Sequence, residues 1–227
     1  KLCIAEGERS CTYNQLLALA RAVQLTLRGA IGPAPPSIAA EPAAHLLGED
    51  ERLVQIVLPK SVNLYAAMLG ALFERCLFLL FETRDPKEKL QKQIDVSSPI
   101  AFVSNPECAT LFGLDALRDG HPLLDVTKIS MGVLIHSSKL WRPPPLREMH
   151  PIAYAICTSG TTGTPKVIMT PHAAITHFVS VWCSKAKVSS SDRSIQLCSL
   201  AFDLNMASIW PALCSGAAAV VPPNEHG

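Results

Sequence analysis

The 227-residue sequence has almost no net charge and few charges of either sign. Twenty Lys and Arg stand against nineteen Asp and Glu, and charged residues make up only 17%. That balance offers no basic footprint for nucleic acid and no cationic face for an acidic membrane. With 48% apolar residues, the composition also excludes an intrinsically disordered chain and leaves ample material for a core. The eight cysteines contain no C-x-x-C pair, and His172 and His177, five apart, do not share a helix face. Metal ligation is therefore disfavoured. Several cysteines, such as Cys157 and Cys198, end apolar runs and read as small buried hydrophobes of a reducing compartment, and a cytoplasmic setting is expected. There is no initiator Met and no basic-then-apolar leader, so the sequence reads as a fragment or a processed product. No internal repeat is visible. A charge-free stretch at 204–224 is broken by Asn205, Pro211, Gly216 and Pro222, which fits a helix followed by a buried strand better than a membrane span.

What the sequence does have is alternation. Thr12 and Gln15 form a capping-box pattern, and Leu16, Leu19, Ala20, Val23 and Leu27 recur at helical spacing behind it. A proline-rich stretch at 33–51 then reads as a surface insertion. From Leu53 the texture is strand (53–58), helix (61–73) and strand (77–81). A helix opened by Asp85 as N-cap with Pro86 at its first position follows, and a strand at 100–103 closes the series. A possible strand at 132–136 and a linker at Trp141–Pro145 lead to the second half. There, strands are expected at 152–157, 166–169, 194–200 and 217–221. Thr170 and Pro171 start a helix with Ile175, Phe178, Val179 and Trp182 as its core stripe, and a second helix covers 204–215. Such alternation predicts an α/β fold with Rossmann-like layered sheets and covering helices. Two β/α subdomains are expected: 1–147 with the insertion, and 148–227 carrying the loop described next.

That loop, Thr158-Ser-Gly-Thr-Thr-Gly-Thr-Pro-Lys166, is where chemistry is legible. Gly160 and Gly163 let the backbone approach a ligand closely. Ser159, Thr161 and Thr162 add hydroxyl donors to the backbone N–H groups, a set suited to an anion with many oxygens. Lys166 adds a point charge, and the apolar strand before the loop supplies a rigid mount. The composition is that of a phosphate-binding loop. It is not the Walker A loop, because its glycines are three apart and Pro165 precedes the lysine. It is not a dinucleotide G-x-G-x-x-G either.

The run from Tyr154 to Lys166 resembles the signature loop of the adenylate-forming superfamily, which includes acyl-CoA synthetases, the adenylation domains of nonribosomal peptide synthetases, and luciferases. Cys11-Thr-Tyr-Asn-Gln-Leu16 resembles the early helix start of that superfamily. The segment 200–221 resembles the Phe-Asp segment of its amino-acid-activating members, of nonribosomal peptide synthetase or β-alanine-activating type. The resemblance implies that the chain is an incomplete N-terminal portion of an ATP-dependent ligase. Such a ligase converts a carboxylate, here an amino acid, to an acyl-AMP for transfer to the thiol of CoA or of a phosphopantetheine carrier. It further implies that Thr158, Ser159, Gly160, Thr161, Thr162, Gly163 and Lys166 bind the phosphates of ATP, with Mg²⁺ accompanying the nucleotide and Lys166 as the catalytic residue. Asp203, after Phe202, is implied to pair with the substrate's amino group; from the residues alone it reads equally as the N-cap of the helix at 204, and the two roles are compatible.

Departures from the pattern are specific. The superfamily's Gly-x-x-x-x-Pro segment is Cys76–Phe81 here, with neither Gly nor Pro, and its Ser two residues after the Asp is Asn205. The aromatic-Gly-x-Thr-Glu segment, the ribose-binding Asp and the C-terminal catalytic Lys do not occur within the 227 residues, so these residues alone are expected to be inactive. Two other readings stay open: an acyl-CoA synthetase acting on a fatty or aryl acid, and a truncated, non-catalytic nucleotide-binding protein.

Overall fold

Short, largely apolar runs form the centre of the molecule, with Gln55 of the strand at 53–57 a buried polar exception within them. The computed structural model describes residues 1–33, 52–117, 119–129, 151–158 and 165–223. Strands β1 (Leu2–Glu6) and β2 (Arg9–Thr12) precede helix α1 (Tyr13–Ile31). Then β3 (Leu53–Val57), α2 (Val62–Phe73), β4 (Leu77–Leu80), α3 (Lys87–Ser97) and β5 (Ala101–Ser104) alternate. Helices α4 (Pro106–Phe112) and α5 (Leu114–Leu117) lead to β6 (Leu123–Asp125). The remainder is β7 (Ile152–Thr158), β8 (Lys166–Pro171), α6 (His172–Ala186), β9 (Arg193–Ile195), α7 (Leu204–Cys214) and β10 (Ala218–Val221).

Two sheets result. The larger has the order β6-β5-β3-β4-β7-β8, and the smaller β2-β1-β10-β9. Neighbours are parallel except at the antiparallel hairpins β7–β8 and β1–β2. β3, β4 and β5 are buried along their whole lengths, as strands covered on both faces must be. The expected α/β architecture of layered sheets with covering helices is present. The boundary expected at 147/148 lies outside the described residues. On either side of it the strands share both sheets: β7 pairs with β4, and β1 with β10.

Helix α1 begins as the capping box requires. The Thr12 hydroxyl accepts the Gln15 N–H at 3.3 Å, and the Gln15 side chain accepts the Thr12 N–H at 2.8 Å. Its apolar face lies on α2, and Gly70 sets how close the two helices come. A Cβ at Gly70 would sit 2.6 Å from Val23 Cβ and 2.8 Å from the Ala20 carbonyl oxygen.

Four local expectations are corrected. Pro86, extended at φ −69° and ψ 153°, is itself the N-cap position of α3, so Asp85 does not cap and instead pairs with Lys89 at 2.6 Å. Thr170 does not cap α6, because it is held in the β8 ladder opposite Tyr154 and the helix starts after an extended Pro171. Phe178 and Trp182 stack on each other at 5.6 Å on the exposed side of α6, while only Ile175 and Val179 pack against the core. The strand expected at 194–200 is only Arg193–Ile195, since the carbonyls beyond it are taken by a lysine side chain described below. The insertion at 34–51, the possible strand at 132–136 and the linker at 141–145 lie outside the described residues.

Candidate functional site

The β7–β8 hairpin mounts the phosphate-loop sequence. β7 is held in the sheet by β4, with Phe78 opposite Tyr154, and β8 folds back antiparallel so that Lys166 stands directly across from Thr158. The loop's first and last residues are therefore fixed as a register pair at the hairpin mouth. Both are exposed. Ser159, Gly160, Thr161, Thr162 and Gly163 lie outside the described residues. Alternation along β8 puts Lys166, Ile168 and Thr170 on one face of the strand.

Ile168 and Thr170 line a cleft of about 740 Å³. It opens beyond the C-terminal end of β4, where Phe81 and Glu82 contribute to it, and Thr158, Phe202 and Asp203 line it as well. Ligands of open α/β sheets bind outside the carboxyl ends of parallel strands, and the cleft occupies such a position. Its lining is mostly apolar, with the polar groups Glu82, Thr158, Thr170 and Asp203 placed among those side chains, the usual make-up of a small-molecule pocket.

Asp203 stands at the first turn of α7 with α-helical backbone angles, φ −60° and ψ −28°, and its side chain makes no capping hydrogen bond. The amides it would have served are satisfied by backbone. The Asn205 N–H donates to the Phe202 carbonyl at 3.1 Å, and the Met206 N–H to the Asp203 carbonyl at 2.8 Å. The carboxylate is thus exposed at the cleft with its cap function already supplied by other groups. Across the cleft, Tyr154 is buried and stacks on Phe78 at 5.8 Å. Burial raises its hydroxyl pKa; a hydrogen bond with Thr170 opposes the shift, and the negative charge of Asp203 adds to it. The phenol therefore stays neutral at the cleft wall.

Two charged residues the sequence reading did not single out are Glu82, which lines the cleft, and Lys60, which lies outside its lining. Glu82 is buried, and burial works against its charge. Hydrogen bonds from the Ser199 side chain and the Leu200 N–H, with Arg84 nearby, outweigh that cost and hold its pKa below the usual 4.5. Lys60 has its pKa lowered, first by burial, against the opposing pull of the Glu82 charge. Both follow buried parallel strands within three residues, Lys60 after β3 and Glu82 after β4. A charged residue at the C-terminal end of such a strand was the signal available in the sequence. Among the described residues, no group of three or more His, Cys, Asp or Glu could hold a metal ion, and no helix is long and apolar enough to cross a membrane. All eight cysteines are unpaired, and Cys3, Cys11, Cys76 and Cys108 are buried.

The family model described as AMP-binding enzyme matches residues 38–227. Pyochelin synthetase PchF of Pseudomonas aeruginosa is 31% identical over 186 residues, covering 81% of this chain and 10% of that protein. Surfactin synthase subunit 2 of Bacillus subtilis is 29% identical over 177 residues, covering 77% of this chain and 5% of that protein. The chain thus spans a tenth or less of these two relatives. Among solved structures, VinN in complex with L-aspartate matches 97% of this chain and 53% of its own with a TM-score of 0.78 at 18% identity. A four-domain nonribosomal peptide synthetase bound to AMP and glycine matches 99% of this chain and 15% of its own, with a TM-score of 0.75 at 19% identity. At such identities these structures speak to the fold alone.

Proposed function

The chain belongs to the AMP-binding enzyme family, and from that premise we propose that it is part of an ATP-dependent adenylating ligase whose substrate is an amino acid. The observation that carries this reading is the shared cleft: one end of the phosphate loop, Thr158, and an uncapped carboxylate, Asp203, line the same space at the C-terminal end of a parallel strand.

The donor set suits a nucleotide. Thr158 and Lys166 stand opposite each other in the β7–β8 register, with the glycines and hydroxyls of 159–163 between them in sequence. Phosphoryl chemistry asks the protein mainly for positioning and for neutralisation of developing charge. In the proposed reaction, the substrate carboxylate attacks the α-phosphorus of ATP, pyrophosphate leaves, and an aminoacyl-adenylate forms. Lys166 and the loop amides offset the charge that accumulates on the departing phosphates. Mg²⁺ is proposed to arrive with the nucleotide, held mainly by its phosphates. Asp203 meets the substrate ammonium; a carboxylate at a partly apolar wall is favourable when a cation pairs with it, and an amino acid brings that cation. A thiol, of CoA or of a phosphopantetheine carrier, then takes the acyl group. Unpaired thiols and a need for ATP fit a cytoplasmic setting.

Pyrophosphate exchange into ATP tests the proposal in the intact protein, with amino acids compared against their des-amino counterparts. Exchange that depends on the α- or β-amino group is expected. Equal exchange with fatty or aryl acids would move the chain to the acyl-CoA synthetase reading, and ATP binding without any exchange would make it a non-catalytic nucleotide binder.

A further inference from the structure

The segment between β9 and α7 carries Asp203 to the cleft, yet it has no sheet to hold it. Beyond Ile195 the backbone leaves the ladder: the Gln196 N–H still donates to the Val220 carbonyl at 2.8 Å, and regular pairing ends there. Its far side is fastened to α7. The fully buried Gln196 side chain donates to the Ser208 carbonyl at 3.1 Å and accepts the Ser208 hydroxyl at 2.8 Å. Its near side is fastened by two side chains from the other sheet. The Lys60 ammonium donates to the Gln196 carbonyl at 3.0 Å and to the Cys198 carbonyl. The Glu82 carboxylate accepts the Leu200 N–H at 3.1 Å and bonds with the Ser199 side chain. One cation thus takes the carbonyls of residues 196 and 198 and one anion takes the amide of residue 200; the two charges are close enough to influence each other, with Glu82 buried and Lys60 half-buried.

We propose that Lys60 and Glu82 are positioning residues, a charged clamp that sets the path of residues 196–203 and thereby the place of the Asp203 carboxylate in the cleft. The inference rests on the reading of Asp203 as the amino-group ligand. Apolar side chains in place of Lys60 and Glu82 would leave the carbonyls of 196 and 198 and the amide of 200 without these partners. Because charge-assisted hydrogen bonds are short-ranged and directional, they fix the backbone more tightly than an apolar contact would. The clamp also ties the ends of β3 and β4 in one sheet to the segment that follows β9 in the other, and a small displacement of a substrate-positioning group is costly to catalysis.

The test is a split between two Michaelis constants in the intact protein. Glu82→Ala is expected to raise KM for the amino acid about tenfold, the cost of one charge-assisted hydrogen bond, with KM for ATP within about twofold. Glu82→Gln, which keeps an oxygen for the Leu200 N–H, is expected to restore most of the loss. Asp203→Ala is measured alongside. If Asp203→Ala raises the amino-acid KM and Glu82→Ala does not, the clamp is overturned and the substrate reading stands. If Asp203→Ala has no effect, the substrate reading falls first. A loss in Glu82→Ala that strikes both substrates equally marks a merely structural residue and overturns the proposal. Should Glu82→Ala fail to fold, Lys60→Met decides by amide exchange: about tenfold faster exchange in the 196–203 peptide, with β3 and β4 unchanged, is expected, and unchanged exchange in that peptide refutes the clamp.

Discussion

Replacing Asp203 by Asn separates the two roles that an Asp before a helix can play. Asn caps helices as well as Asp does, so the substitution leaves any capping contribution in place and removes only the negative charge. The structure says how large each effect should be. No capping hydrogen bond comes from the Asp203 side chain, and the first amides of α7 are satisfied by the Phe202 and Asp203 carbonyls. Stability should therefore change by less than about 0.5 kcal/mol, the range of surface substitutions that break nothing. Binding is another matter. A hydrogen bond between a carboxylate and a substrate ammonium is worth about 1.5–3 kcal/mol, which is roughly a 10- to 150-fold rise in KM for the amino acid. The lower half of that range is expected, because the side chain is exposed at the cleft and solvent screens the pair. Steady-state pyrophosphate exchange in the intact protein, titrated separately with the amino acid and with ATP, reads both constants. KM for ATP should stay within about twofold, since the phosphate loop is untouched. An amino-acid KM unchanged in Asp203→Asn would refute the reasoning, and with it the case for an amino-acid substrate.

Three further outcomes test the frame that holds the site. Gly70→Ala should destabilise the chain by about 1–3 kcal/mol in urea unfolding, because the new methyl falls 2.6 Å from Val23 Cβ; the added Val23→Ala change should recover part of the loss, and independent, additive effects would contradict the close contact. Thr12→Ala should cost about 1 kcal/mol through loss of the capping box at α1, read as a lowered midpoint with an unchanged slope. Glu82 has its pKa held below 4.5 in the folded state, so its contribution to stability is full above that value and fades as the pH falls through the folded pKa. Wild type should therefore lose stability more steeply than Glu82→Gln on acidification below about pH 4.5, and parallel acid limbs would count against the clamp geometry.

Much of the fold was legible because its signals are local. The Thr12–Gln15 box and the largely apolar runs of β3 and β4 each specify their own element. Sheet membership was not legible in the same way. That β10 returns to pair with β1, more than 200 positions away, is a matter of long-range packing that no local pattern encodes. The misplaced helix starts share one cause: at both Asp85-Pro86 and Thr170-Pro171 the sequence offers a capping residue before a proline, and in both the extended proline takes the cap position itself. At the candidate site, Thr158, Lys166 and Asp203 are singled out in the sequence by motif and residue type, and of these Thr158 and Asp203 line the cleft. Lys60 and Glu82 could not be assigned a task, since what they hold is backbone 118 to 138 positions further along the chain. Exposed Phe178 and Trp182 show the limit of helical periodicity, which finds an apolar stripe but not what the stripe faces.

The central proposal is that the sequence 158–166, whose ends pair in the β7–β8 hairpin, binds the phosphates of ATP, and Lys166 tests it most directly. Lys166 is exposed at the hairpin mouth, so Lys166→Ala should leave folding intact by circular dichroism. In the intact protein, amino-acid-dependent pyrophosphate exchange should fall by about 10²-fold, the usual cost of removing one group that stabilises developing charge. Exchange at the wild-type rate in Lys166→Ala would contradict the account.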